Sequence, residues 1–126
     1  MLLHHIGIAC RDIDQTVQSL KKNYDIASVS KIIFDERQNA KLCLVETNNG
    51  ITIELIAGST VSNLLKKGIS YYHLCFSVKD IFAEIKRLKS NGAIIVSPPK
   101  PAILFNNLLV AFIYTPSGLV ELLEKH

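Results

Sequence analysis

The apolar positions of the chain fall into short aliphatic runs, broken by stretches of helical spacing. Residues 3–10 read as a strand. Ile13, Val17 and Leu20 then recur every three or four residues, which marks one stripe of a helix. Asp12 stands before that stripe with Gln15 three residues on, a capping-box spacing, and Asn23 ends it. Val29–Phe34 is a β-branched run and reads as a strand. Asp35–Asn39 is a polar turn, and Lys41–Glu46 alternates, imperfectly, as the next strand. Asn48-Asn49-Gly50 is a strong hairpin signal leading into a strand over Ile51–Ala57. Ser59 or Thr60 is the expected cap of a short helix carrying Val61, Leu64 and Leu65 and closed by Gly68.

The pattern then begins again. Tyr71–Val78 reads as a strand, and Asp80 opens a helix with Ile81, Ile85 and Leu88 on one face and Asn91-Gly92 at its end. Ala93–Ser97 and Leu108–Tyr114 are strands. Between them, Pro98-Pro99-Lys100-Pro101 gives no ladder donors at its prolines and cannot continue as a central strand. Residues 98–107 are expected to form a lid without regular structure, with Ile103, Leu104 and Phe105 covering substrate or a partner subunit. Pro116-Ser117-Gly118 turns the chain into a last strand over Leu119–Leu123. Each copy is therefore β-α-β-β-β.

The repetition reaches residue identity. His5, Asp12 and Ile13 recur as His73, Asp80 and Ile81, each 68 residues on. Glu54 recurs as Glu121, 67 residues on. A repeat changes the fold expected of a chain, and this one has two long copies and is no solenoid. The 126 residues suit one domain: module one at 1–58, a linker at 59–70 and module two at 71–126. A half of this size buries too little surface to stand alone, so the halves are expected to share a core.

Composition narrows the function classes. At 48% hydrophobic the chain can fill a core, and no apolar run approaches the roughly 20 residues of a membrane span. Met-Leu-Leu-His-His lacks the basic start and cleavage site of a secretion signal, so a cytoplasmic protein is expected. The charge of +3 has no basic stripe behind it, which argues against nucleic acid. Lys21-Lys22 and Lys66-Lys67 read as cations near helix C-termini. Cys10, Cys43 and Cys75 lie in apolar runs without C-x-x-C spacing, so they read as buried small hydrophobes. Cys75 also shares a strand face with His73.

His5, Glu54, His73 and Glu121 all sit among aliphatic strand residues. Singly, each reads as a satisfied or solvated polar group. Recurrence of both residue types at matching places needs more, because charged groups are seldom buried unless paired or metal-bound. A pseudo-twofold axis would bring the four together. Two neutral imidazoles and two carboxylates balance a divalent cation, and that N/O set suits zinc, nickel, cobalt, manganese or iron. An octahedral shell would leave two positions for water or substrate oxygens.

At this point the chain resembles a known group. His-His-Ile-Gly-Ile-Ala-Cys-Arg-Asp-Ile at 4–13, Ile-Glu-Leu-Ile at 53–56, Tyr-His-Leu-Cys-Phe-Ser-Val-Lys-Asp-Ile at 72–81 and Gly-Leu-Val-Glu-Leu-Leu at 118–123 look like the vicinal oxygen chelate superfamily. The resemblance covers nearly the whole chain and is closest to the methylmalonyl-CoA epimerase branch, with glyoxalase I a neighbour. It implies an α+β fold, two paired βαβββ modules forming a cup-shaped mixed sheet around one metal site. It also implies a metal-dependent lyase or isomerase that transfers a proton next to a chelated carbonyl or thioester. The implied ligands are His5, Glu54, His73 and Glu121, with Glu121 or Glu54 as the catalytic base.

Glyoxalase I resembles this chain in having glutamate at the place of Glu54, where bacterial epimerases often have glutamine. The epimerase pattern implies a base glutamate near residues 36–40, and Arg37 stands at that place here. Arg37, Lys41 and Lys100 are candidates to hold an anionic tail, against ordinary surface charge. Arg37, Cys75, Lys100 and Phe105 are the candidate substrate contacts. The expected partner is a small-molecule substrate, such as an anionic acyl-CoA thioester or a glutathione adduct, with no nucleic acid or membrane. A homodimer is the expected assembly. The competing readings are a non-catalytic, drug-sequestering protein of the same fold and a ring-cleaving dioxygenase.

Overall fold

The computed structural model describes residues 1–126. It is an α+β protein with nine strands of a mixed sheet and three helices. By packing it divides into two compact units, one of His5–Tyr72 and one of Met1–His4 with His73–His126.

The first unit contains most of β1 (Leu2–Ala9), α1 (Ile13–Asn23), β2 (Ile26–Val29), β3 (Ile33–Asp35), β4 (Ala40–Thr47), β5 (Thr52–Gly58) and α2 (Ser62–Lys66). Its strand order is β2-β4-β5-β1, with β3 also paired to β4. β1 and β5 run parallel, with Gly7 opposite Glu54. β4 and β5 run antiparallel across the turn at Asn48-Asn49-Gly50, where Gly50 has φ +83°. The expected cap forms, since the Asp12 side chain accepts from the Gln15 N–H at 3.0 Å. Such a cap contributes about 1 kcal/mol. Ile13, Val17 and Leu20 of α1 pack on Cys10, Cys43, Val45, Leu55 and Ala57. That contact fixes the side of β4 and β5 that faces the helix. Because strand side chains alternate, His5, Glu54, Leu42 and Leu44 fall on the other side.

The second unit repeats this with most of β6 (Tyr71–Val78), α3 (Ile81–Ser90), β7 (Ile94–Ala102), β8 (Leu108–Thr115) and β9 (Gly118–Glu124), in the order β6-β9-β8-β7. Asp80 caps α3 through the Ala83 N–H at 3.0 Å. Ile81, Ile85 and Leu88 pack on Val78, Ala111, Ile113, Val120 and Leu122. His73, Cys75, Phe112 and Glu121 take the opposite side.

Three local expectations are corrected. The run Val29–Phe34 is two strands, not one: β2 ends at Val29 and β3 starts at Ile33. Ser30 causes the break, because its hydroxyl, in place of a carbonyl, accepts the Leu44 N–H at 2.9 Å. Neither Ser59 nor Thr60 caps a helix by its side chain. Thr60 instead donates its hydroxyl to the Gln38 carbonyl at 2.6 Å, and a short 3-10 turn over Ser59–Val61 precedes α2. Finally, β7 runs through the proline segment to Ala102. It can do so because it is an edge strand, with register shifts between Ile95 and Ser97 and between Ser97 and Lys100. A 3-10 turn over Ile103–Phe105 follows, so the segment is mostly regular.

Candidate functional site

Each half places one imidazole beside one carboxylate. In the first, His5 lies two residues before Gly7, the residue opposite Glu54. His5 Nε2 stands 3.7 Å from Glu54 Oε1. In the second, His73 lies two residues before Cys75, the residue opposite Glu121. His73 Nε2 stands 3.3 Å from Glu121 Oε1. The register is thus the same in both copies. All four side chains belong to buried residues, none more than 5% exposed.

Burying two carboxylates and two imidazoles is costly unless each charge is matched. Two ligand atoms, each about 2.1 Å from a common ion, stand about 3–3.5 Å apart. The 3.3 Å spacing fits that geometry and 3.7 Å falls just beyond it. Neutral imidazole and carboxylate are also the donor types that first-row divalent ions accept.

The walls differ between the halves. Leu44 lies opposite Glu54 in the first. Phe112 lies opposite Glu121 in the second, and its ring stands edge-on to His73 with centroids 5.3 Å apart. Cys75 is fully buried on the face of His73, in a cluster with Ala102, Val110 and Leu123. Phe105 packs on that cluster, with its ring 5.5 Å from that of His4. Lys100 is exposed on β7 opposite Val110. Arg37 lies in the turn after β3, where its N–H donates to Asp35 Oδ1 at 2.9 Å. Ile103 is exposed.

Two acidic groups in the first half escape a reading of the repeat alone. Asp35 is buried, and it accepts from Arg37 N–H and Gln38 Nε2, both at 2.9 Å. Those bonds make it the organiser of its turn. Glu46 shares the face of Glu54, and Thr52 donates to its Oε1 at 2.6 Å. The alternation of Leu42, Leu44 and Glu46 along β4 is the signal that marks its face.

A cavity of about 880 Å³ lies in the first half, lined by Ile6, Ile8, Leu20, Tyr24, Ile53 and Tyr71 among others. Ile6, Ile8 and Ile53 point away from the His5–Glu54 side, so this groove is separate from the candidate chemistry. Burial raises the thiols of Cys10 and Cys43 above the usual value. No helix is long and apolar enough to cross a membrane.

Comparison with known proteins agrees with this fold. Residues 4–112 match the Glyoxalase/Bleomycin resistance protein/Dioxygenase superfamily. The fold is similar to methylmalonyl-CoA epimerase from Mycobacterium tuberculosis, with TM-score 0.80 and 24% identity over 98% of this chain and 87% of that one. A hypothetical protein from Bacillus halodurans superposes with TM-score 0.77 and 27% identity, over 98% of this chain and 94% of that one. A second methylmalonyl-CoA epimerase gives 0.76 and 16%, over 100% and 96%. No curated protein matches the chain in sequence.

Proposed function

The chain belongs to the Glyoxalase/Bleomycin resistance protein/Dioxygenase superfamily, and on that premise we propose that it is a metal-dependent lyase or isomerase acting beside a carbonyl or thioester. The observation that carries this reading is the matched His–Glu pair in each half, at 3.7 and 3.3 Å. His5, Glu54, His73 and Glu121 are proposed to hold one divalent ion together, within a single domain; their donor atoms are of the kind that could do so. Zinc, nickel, cobalt, manganese and iron all suit two imidazoles and two carboxylates. The ion supplies Lewis-acid stabilisation of the negative charge that develops on a carbonyl oxygen.

The side chains do the rest. His5 and His73 orient the site as neutral donors. Glu121 or Glu54 takes the proton from the carbon next to the carbonyl, a transfer that contributes about 10²–10⁴-fold when the base is well placed. Arg37 and Lys100 would hold an anionic tail, such as that of an acyl-CoA or a glutathione adduct. Phe105 would line the substrate's path, with Cys75 packed beneath it in the apolar cluster. A homodimer is the assembly this reading favours. Three free cysteines suit a reducing compartment, which supports the cytoplasm.

The experiment is turnover of methylmalonyl-CoA and of methylglyoxal–glutathione hemithioacetal, with and without chelator. The reading expects chelator-sensitive turnover of one of them, and loss of that turnover in Glu121→Gln. Full turnover in Glu121→Gln would take the base role from Glu121. Turnover indifferent to metal would end the reading.

One observation favours a second reading, a binding protein of the same fold. The 880 Å³ groove is mostly apolar, with Asp25 and Asn48 among its polar lining, and is within the size of small-molecule pockets, about 300–1,000 Å³. Thermal stabilisation by apolar ligands that metal removal leaves intact would support it.

A further inference from the structure

The halves repeat their His–Glu pairs but differ one step further along the same face. In the first half, the cross-strand pair beyond Leu44 and Glu54 is Glu46 and Thr52. Both are half-buried, and Thr52 donates to Glu46 Oε1 at 2.6 Å. In the second half, the pair beyond Phe112 and Glu121 is Tyr114 and Leu119. Ile94 extends that row on β7, opposite Tyr114. Cross-strand partners share a face, so Leu119, Tyr114 and Ile94 lie on the side of Glu121 and away from α3. Tyr114 is 56% exposed and Ile94 69%. Equivalent positions of a duplicated module have thus become acidic in one copy and apolar in the other.

We propose, resting on the metal reading above, that this row is the specificity wall of the site. The substrate's group nearest its chelated oxygens is apolar and uncharged, aromatic or branched, and it lies on Tyr114, Ile94 and Leu119. Two residues along a strand cover about 7 Å. That is the reach of a ring joined directly to a chelating carbonyl. Phe112, already edge-on to His73, continues the apolar surface inward. Lys100 pairs with Val110, toward the other end of β7, so the row itself offers no cation to an anionic group.

The test compares two small chelators that bind through adjacent oxygens, acetohydroxamate and benzohydroxamate, on Co²⁺-loaded protein. The visible spectrum of Co²⁺ reports binding, and the quantity read is the ratio of the two dissociation constants. Phenyl in place of methyl should bind at least about tenfold tighter to the wild type, since more apolar surface leaves water. That advantage should collapse in the Tyr114→Ser/Ile94→Ser double variant, while Co²⁺ uptake stays at one equivalent. An equal ratio in wild type and variant overturns the wall while leaving the metal reading standing. No Co²⁺ uptake by the wild type overturns the metal reading and the wall with it. A variant that becomes monomeric from a dimeric wild type, with the ratio unchanged, assigns the row to a second copy and overturns the wall.

Discussion

The ring of Phe112 stands at 87° to the imidazole of His73, with centroids 5.3 Å apart. Phe112 also lies opposite Glu121 on the neighbouring strand, so one side chain supports both members of the second pair. Edge-to-face contacts are worth about 0.5–1.5 kcal/mol. Phe112→Ala should therefore weaken metal binding up to about tenfold, since 1.4 kcal/mol is a factor of ten. Competition with a metal-sensitive dye measures this, and unchanged affinity would show that the ring does not orient His73.

Asp12 and Asp80 are duplicated caps, each accepting a backbone N–H at 3.0 Å. Asp12→Ala and Asp80→Ala should each lose about 1 kcal/mol in urea unfolding. Asparagine at either place should restore most of it, because its side-chain oxygen accepts the same bond.

Among the five glycines with positive φ, Gly58 alone is placed where a Cβ would meet backbone. A Cβ there would stand 2.6 Å from the Asn39 carbonyl oxygen, and φ is +148°. Gly58→Ala should cost at least about 1–3 kcal/mol, since both clash and dihedral oppose it. Gly50→Ala meets nothing within 4 Å and carries only the strain of φ +83°, so it should cost less. Thermal melts of the two variants give the order.

Cys10 and Cys43 should resist thiol reagents in the native protein. Burial is the largest cause raising each above the ordinary 9.0, which keeps them protonated at neutral pH. The thiols are neutral in both states below pH 9, so their contribution to stability is fully present there. It is lost as pH rises through the folded value, because the unfolded chain ionises first. Reaction with a chromogenic disulfide at pH 7.5, before and after denaturant, should show these thiols slow and then fast. Equal rates would contradict the packing.

The sequence was most informative where a signal is local. The two aspartate caps, the strand over Tyr71–Val78 and the turn at Asn48-Asn49-Gly50 are all where their residues imply. Each depends on neighbours within a few positions. Ser30 breaks the run Val29–Phe34 because its hydroxyl meets Leu44, fourteen residues away. The prolines of β7 are admitted because that strand is at an edge, which depends on the order of the whole sheet. Thr60 spends its hydroxyl on Gln38, so no cap remains for the helix. The repeat marked His5, Glu54, His73 and Glu121 as a set, and pairing within each half follows from register: Gly7 with Glu54, Cys75 with Glu121. Glu46 has no acidic counterpart in the second copy, so a search for matching residues passes over it.

The central claim is that four buried side chains hold one ion, and elemental analysis tests it most directly. Protein purified without chelator, then dialysed with a slight excess of Co²⁺ or Zn²⁺, should retain about one equivalent per chain. His5→Ala and His73→Ala, one from each copy, should each lose nearly all of it while keeping the far-ultraviolet spectrum of the folded chain. Less than a tenth of an equivalent in the wild type, or a full equivalent in either variant, would contradict the account.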